Sequence, residues 1–320
     1  MSMKWLLRLL FFAAWGVSLV YMFGFGALVG MFSPSMAESA MVRSGKVLEW
    51  VTGGFTPCGE TPPLECGFSD TTGRTEVDCD DYQGDGAAVL MTFGQSNSAN
   101  AGRDRYIPVG PVANFNFHDD RCYLAEDPLL GPDAPGGSVW GVLGDKLIAS
   151  GQYDRVLLIP FGIGGSSLGE WQVDGFLHPI LESATAAVRE RGITPTHVLW
   201  HQGESDAGDG TMEADYFAMF EALLGNLRDY GIDAPVYPAV ATHCEMPYFE
   251  QSPDYARGRE TVRAAQARLP ELEGVFPGPD TDTIQGSFYR HDNCHFNAKG
   301  MQAHADLWLE ALGQSPAGAP

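Results

Sequence analysis

Four short stretches of this chain carry more chemistry than their surroundings call for. The first is Phe93-Gly94-Gln95-Ser96-Asn97-Ser98. A serine two residues past a glycine, at the exit of an apolar run, can present its hydroxyl above the surface that the run builds. The second glycine of G-x-S-x-G is missing, which separates this turn from the nucleophile elbow of α/β-hydrolases. A lone serine in such a turn is more commonly a helix cap, so a nucleophilic Ser96 requires a base and an orienting acid from elsewhere.

Both are offered near the C-terminus, in Arg290-His291-Asp292-Asn293-Cys294-His295-Phe296. With Asp292 and His295 three apart on one loop, the carboxylate can hold one imidazole nitrogen while the other faces Ser96. Histidine is a base near neutral pH, and the carboxylate stabilises the imidazolium that forms on attack. His291, Asp292 and His295 also form a candidate metal cluster, but a second ligand group such as H-E-x-x-H is missing. We expect neither metal nor organic cofactor.

Two further stretches lie between. In Phe161-Gly162-Ile163-Gly164-Gly165-Ser166-Ser167, followed by Glu170-Trp171, the glycines let backbone N–H groups approach a developing oxyanion, although a tight turn would use them equally well. No Gly-Lys-Ser/Thr follows, so phosphate binding is not indicated. In Leu199-Trp200-His201-Gln202-Gly203-Glu204-Ser205-Asp206 polar groups crowd the end of an apolar run. The Gln202 amide can donate to an oxyanion, and Glu204 or Asp206 can accept hydrogen bonds from neighbouring loops. A solvated turn capping the next helix is the plainer alternative.

The elements that must position these groups follow from periodicity. Short apolar runs at 87–93, 155–161, 197–200 and 236–241 predict strands. Helical spacing predicts helices over 213–230, where Tyr216, Phe217, Phe220, Leu223, Leu224 and Leu227 recur, and over 177–190, 257–269 and 298–312. Strands alternating with helices imply an α/β fold, a three-layer α/β/α sandwich around a mainly parallel, flavodoxin-like sheet. Sites in such sheets gather at the carboxyl ends of strands, and the stretches containing Ser96, Gly164 and Gln202 fall at predicted strand ends.

The 320 residues, 44% hydrophobic and 19% charged, suit one large globular domain with extensions. A net charge of -22 without a Lys/Arg cluster argues against nucleic acid as a partner. Lys4 and Arg8 precede an uncharged stretch from Leu9 to Phe32, with small residues at Ser35-Met36-Ala37. Residues 1–37 therefore read as a signal peptide or an uncleaved membrane anchor, and the chain as exported: periplasmic, extracellular or held on the outer face of the cytoplasmic membrane. Any membrane contact is expected only through residues 9–32. Residues 38–85 read as a Cys/Gly/Pro-rich lead-in, 86–313 as the main domain and 314–320 as a disordered tail.

Six cysteines, Cys58, Cys66, Cys79, Cys122, Cys244 and Cys294, suit disulfides in an exported chain, with the pairing left open. A bridge between Cys244 and Cys294 would tie the loop of Asp292 and His295 to the end of a neighbouring strand, whereas a buried thiol at Cys294 is the other reading. The segment between Ser96 and the glycine stretch, with Phe115, Phe117, His118, Asp119, Asp120 and Trp140, is expected to shape a substrate pocket or to serve packing.

In this order, Gly94-Gln95-Ser96-Asn97, Gly164-Gly165-Ser166-Ser167 with Trp171, Gln202-Gly203-Glu204-Ser205-Asp206 and Asp292-x-x-His295 resemble the motif blocks of the sialate O-acetylesterase-like carbohydrate esterases within the SGNH hydrolases. The resemblance covers roughly residues 86–312. It implies an SGNH-type fold and a serine esterase acting on O-acetylated carbohydrate or a small acetyl ester, with Ser96, Asp292 and His295 as triad. It places the oxyanion among the Ser96 N–H, a backbone N–H at Gly164 or Gly165, and the Gln202 amide, with Asn97, Glu204 and Trp171 as supports. The same residues would also serve an O-acetyltransferase, and a membrane-tethered carbohydrate-binding protein without activity is a further alternative.

Overall fold

The computed structural model of the chain describes residues 63–246 and 254–313. The expected signal peptide or anchor, most of the lead-in, Cys58 and the tail 314–320 lie outside the described residues. Among the described residues no helix is long and apolar enough to cross a membrane.

A seven-stranded sheet organises these residues. Its strands are β1 (Glu76–Val77), β2 (Ala87–Gly94), β3 (Val112–Asn116), β4 (Arg121–Leu124), β5 (Arg155–Pro160), β6 (His197–His201) and β7 (Val236–Pro238), in the spatial order β1-β4-β3-β5-β2-β6-β7. From β3 to β7 all neighbours are parallel, and β4 pairs antiparallel with β3 and β1. The helices are α1 (Val139–Ala149), α2 (His178–Glu190), α3 (Glu204–Asp209), α4 (Glu213–Asp229), α5 (Tyr255–Arg268) and α6 (Ala298–Gly313).

Alternation along β2 shows why the layers form. Val89, Met91 and Phe93 point into a core shared with Ile180 and Leu181 of α2, Phe220 and Leu223 of α4, and Val262 of α5. Ala88 and Leu90 point the other way, into a core with Leu143 and Leu147 of α1 and Trp308 of α6. A strand apolar on both faces must be covered on both, and β2 is buried along its whole length. Leu90→Ala would open a cavity at the centre of the second core, at a cost of about 2–5 kcal/mol. The expected α/β/α sandwich with its mainly parallel sheet is what the chain forms.

Strands β1, β3 and β4 and helix α1 were not among the expected elements. The short β3 carries Asn114 and Asn116, whose polarity masks its alternation, yet both are buried. Asn114 compensates by accepting from Leu130 N (2.7 Å) and donating to Leu130 O (3.1 Å), which clamps the loop after β4. Of the residues of this segment expected to shape a pocket or to serve packing, Phe115 and Trp140 are fully enclosed and Phe117 nearly so, and these three pack in the core. Trp140 still bears on the site, since its indole N–H donates to Ser98 O at 2.7 Å.

Candidate active site

Ser96 opens a single 3-10 turn, Ser96–Ser98, directly beyond β2. That exit is stapled to β6. Gly94, at φ +133°, runs so close to His201 that a Cβ would meet the His201 carbonyl oxygen at 2.2 Å, so glycine is required there. Gln95 N donates to His201 O (3.0 Å), and Gln95 Oε1 accepts from Gly203 N and Ser205 N (3.1 Å each).

The hydroxyl held this way is 2.9 Å from His295 Nε2, and His295 Nδ1 is 2.7 Å from Asp292 Oδ2. The second oxygen, Asp292 Oδ1, accepts from His295 N (2.7 Å) and Cys294 N (3.0 Å). Burial alone would raise the Asp292 pKa. The hydrogen bonds from the His295 ring and from these backbone groups outweigh it and hold the carboxyl well below its usual range. His291 Nε2 lies 3.6 Å from Asp292 Oδ2. The donor atoms of His291, Asp292 and His295 lie within 4.8 Å of one another, which makes them the metal-capable cluster among the described residues.

The loop bearing Asp292 and His295 is held on several sides. Cys294 is disulfide-bonded to Cys244, beyond β7, with Cα atoms 4.2 Å apart, and Cys79 is bonded to Cys122. Arg290 is buried against the Phe296 ring (4.1 Å) and donates to Ile284 O (2.6 Å), Thr281 O (3.1 Å) and Cys294 O. Asn97 Nδ2 donates to Glu204 Oε1 (2.8 Å) and to Cys294 O (3.3 Å), linking the β2, β6 and C-terminal loops. Burial pushes the Glu204 carboxyl up to about 7, against the lowering effect of the Asn97 hydrogen bond.

Two of the expected oxyanion donors are engaged elsewhere. Gln202 is wholly enclosed, and its Nε2 donates to Asp206 Oδ2 (2.6 Å) and Ser166 O (3.0 Å) while Oε1 accepts from the Tyr216 hydroxyl (3.1 Å). Both amide hydrogens are thus occupied, one by Asp206 in α3 and the other by the Ser166 carbonyl. Asp206 also accepts from Leu168 N (2.8 Å), so this pair braces the glycine loop from behind. Gly164 N donates to Asp133 Oδ1 at 2.9 Å. By contrast, no hydrogen bond among the described residues uses the N–H of Ser96 or of Gly165, which is exposed at φ +73°. Trp171 lies beneath the loop, its indole N–H on Ser166 Oγ (3.1 Å) and its ring edge-on to Phe93 and Trp200.

Sequence reasoning missed Asp133 and Arg290. Asp133 stands in Gly131-Pro132-Asp133-Ala134-Pro135, a composition that announces only a loop. Arg290 was visible as a charge beside the motif, but nothing in the sequence marks it as buried.

The family of "Carbohydrate esterase, sialic acid-specific acetylesterase" matches residues 87–312. A probable carbohydrate esterase of Arabidopsis thaliana is 27% identical over 175 residues, 48% of this chain, and the match spans 66% of that relative's length. The solved structure of the same Arabidopsis protein superposes with a TM-score of 0.55 at 20% identity, covering 71% of this chain and 98% of that one. An acetyl xylan esterase from Geobacillus stearothermophilus aligns at 16% identity with a TM-score of 0.46, over 72% of this chain and 97% of the other. The matched residues run from β2 to α6 and contain all four motif stretches, and the chain belongs to the carbohydrate esterase family of sialic acid-specific acetylesterases, a class of carboxylic ester hydrolases.

Proposed function

We propose that the chain is an exported serine esterase that removes O-acetyl groups from carbohydrate through a Ser96–His295–Asp292 triad and an acyl-enzyme. The observation that carries this reading is the unbroken chain of contacts from Ser96 Oγ to His295 Nε2 (2.9 Å) and from His295 Nδ1 to Asp292 Oδ2 (2.7 Å). His295 takes the Ser96 proton as the hydroxyl oxygen attacks the ester carbonyl, and the ionised Asp292 stabilises the resulting imidazolium. The unoccupied N–H groups of Ser96 and Gly165 receive the oxyanion, with Gln202 and Asp206 acting only to hold the loop. His295 then returns the proton to the departing sugar oxygen. Water then attacks the acyl carbon as His295 takes its proton, the bond to Ser96 Oγ breaks, and His295 returns that proton to Ser96 as acetate leaves.

Export is supported by the uncharged 9–32 stretch behind Lys4 and Arg8 and by the two disulfides. The test is acetate release from a panel of acetylated glycans by the purified full-length chain and by Ser96→Ala. Acetate from the wild type alone supports the reading. Equal release by both proteins, or none from any acetyl ester, defeats it.

A further inference from the structure

Asp133 takes no part in the mechanism above, yet it stands beside the reacting centre. A Cβ built on Gly164 would meet Asp133 Oδ2 at 3.3 Å, Oδ1 at 3.5 Å and Ser96 Cβ at 3.6 Å, so the carboxylate and the serine crowd the same side of Gly164. Its position is strongly determined. Asp133 N donates to Gly162 O (3.1 Å), Asp133 O accepts from Asn100 N (3.0 Å), and the next residue, Ala134, is held at φ +67°. A left-handed alanine is unfavourable by about 1 kcal/mol or more and persists only where its surroundings impose it.

The two carboxylate oxygens differ. Oδ1 accepts from Gly164 N, which fixes the plane of the group. Oδ2 accepts nothing from any described residue although Asp133 is only 5% exposed, and unlike Glu204 Oε2 it is not sealed from solvent. A buried acceptor that is fixed, unpaired, reached by solvent and beside Ser96 is suited to a ligand donor. Burial raises this carboxyl to about 6, with the Gly164 hydrogen bond and the nearby His295 charge opposing, so it is mostly ionised at neutral pH and acts as acceptor only. An anion there repels the ester oxyanion. It suits instead a hydroxyl carried by the alcohol half of the substrate.

We infer that Asp133 Oδ2 accepts a hydroxyl group of the alcohol moiety close to the scissile ester, which makes Asp133 a specificity-determining residue for polyhydroxylated esters. This rests on the carbohydrate reading of the preceding subsection, and the experiment separates the two. Wild type and the isosteric Asp133→Asn are compared on three substrates: p-nitrophenyl acetate, a methyl xylopyranoside monoacetate with a free hydroxyl next to the ester, and its analogue with that hydroxyl replaced by hydrogen. Thermal melting confirms that both proteins are folded.

A hydrogen bond to a charged acceptor predicts that the ratio of kcat/KM for the glycoside to that for p-nitrophenyl acetate falls about tenfold or more in Asp133→Asn, mainly through KM. The wild type discriminates against the deoxy analogue by a similar factor, and Asp133→Asn loses that discrimination. Equal losses on the glycoside and p-nitrophenyl acetate, or discrimination retained in the variant, overturn the inference. A wild type that cleaves p-nitrophenyl acetate but neither this glycoside nor any acetylated glycan of the panel overturns the carbohydrate reading, and the inference with it.

Discussion

The Ser96 hydroxyl and the His295 Nε2 atom lie 2.9 Å apart although 199 residues separate them. The contact exists because β2 and the loop before α6 meet beyond the carboxyl ends of the parallel strands, one held by Gln95 and the other by Arg290 and Cys294.

Removing either end of this contact should abolish turnover rather than folding. Ser96→Ala and His295→Ala are each expected to lower kcat on p-nitrophenyl acetate by on the order of a thousandfold or more, and Asp292→Asn by a comparable factor because it favours the wrong His295 tautomer. Thermal melts within a few degrees of wild type would exclude unfolding as the cause.

Cys244–Cys294 closes a 50-residue separation and anchors the peptide on which Asp292 and His295 stand. Cys244→Ala together with Cys294→Ala should cost about 2–4 kcal/mol of stability and lower kcat more than it raises KM, because positioning of the base is what suffers. Denaturant midpoints and steady-state kinetics on the same preparation would check this, with unchanged kcat as the contrary result.

Gln202 offers a clean separation between bracing and catalysis. Gln202→Ala leaves Asp206, Ser166 O and the Tyr216 hydroxyl each short of a partner and should destabilise by about 1–3 kcal/mol, read as a lower urea midpoint. An oxyanion donor would behave otherwise, losing about a hundredfold or more in kcat at unchanged stability.

Glu204 predicts a pH-dependent difference in stability. Its folded pKa, about 7, lies above the ordinary 4.5, chiefly through burial. The native chain therefore holds this proton more tightly than the unfolded one. The Glu204 contribution is most favourable below about 4.5 and declines as pH rises towards 7. Glu204→Gln keeps an acceptor for Asn97 but cannot ionise, so its melting temperature relative to wild type should rise between about pH 5 and about pH 8. A gap independent of pH would show that Glu204 keeps the same charge across this range.

The amino-acid sequence by itself determined the layers and the strand ends at which chemistry collects. Apolar runs such as 87–93 are local signals, and so are the polar groups at their ends, Ser96 among them, and the Asp292-x-x-His295 pair before the last helix; none depends on anything distant to be seen. Chain order also brought Cys244 and Cys294 into consideration together. Only the tertiary structure decided where hydrogen-bonding capacity is spent. The Gln202 amide is claimed by Asp206, Ser166 O and Tyr216, and the Gly164 N–H is taken by Asp133. Those outcomes are competitions among groups far apart in sequence, settled by which donor and acceptor are buried side by side. The same holds for β3, whose buried asparagines look like loop residues until Leu130 is seen to satisfy Asn114. Residue types and spacing show what a side chain can do; packing leaves it one partner with which to do it.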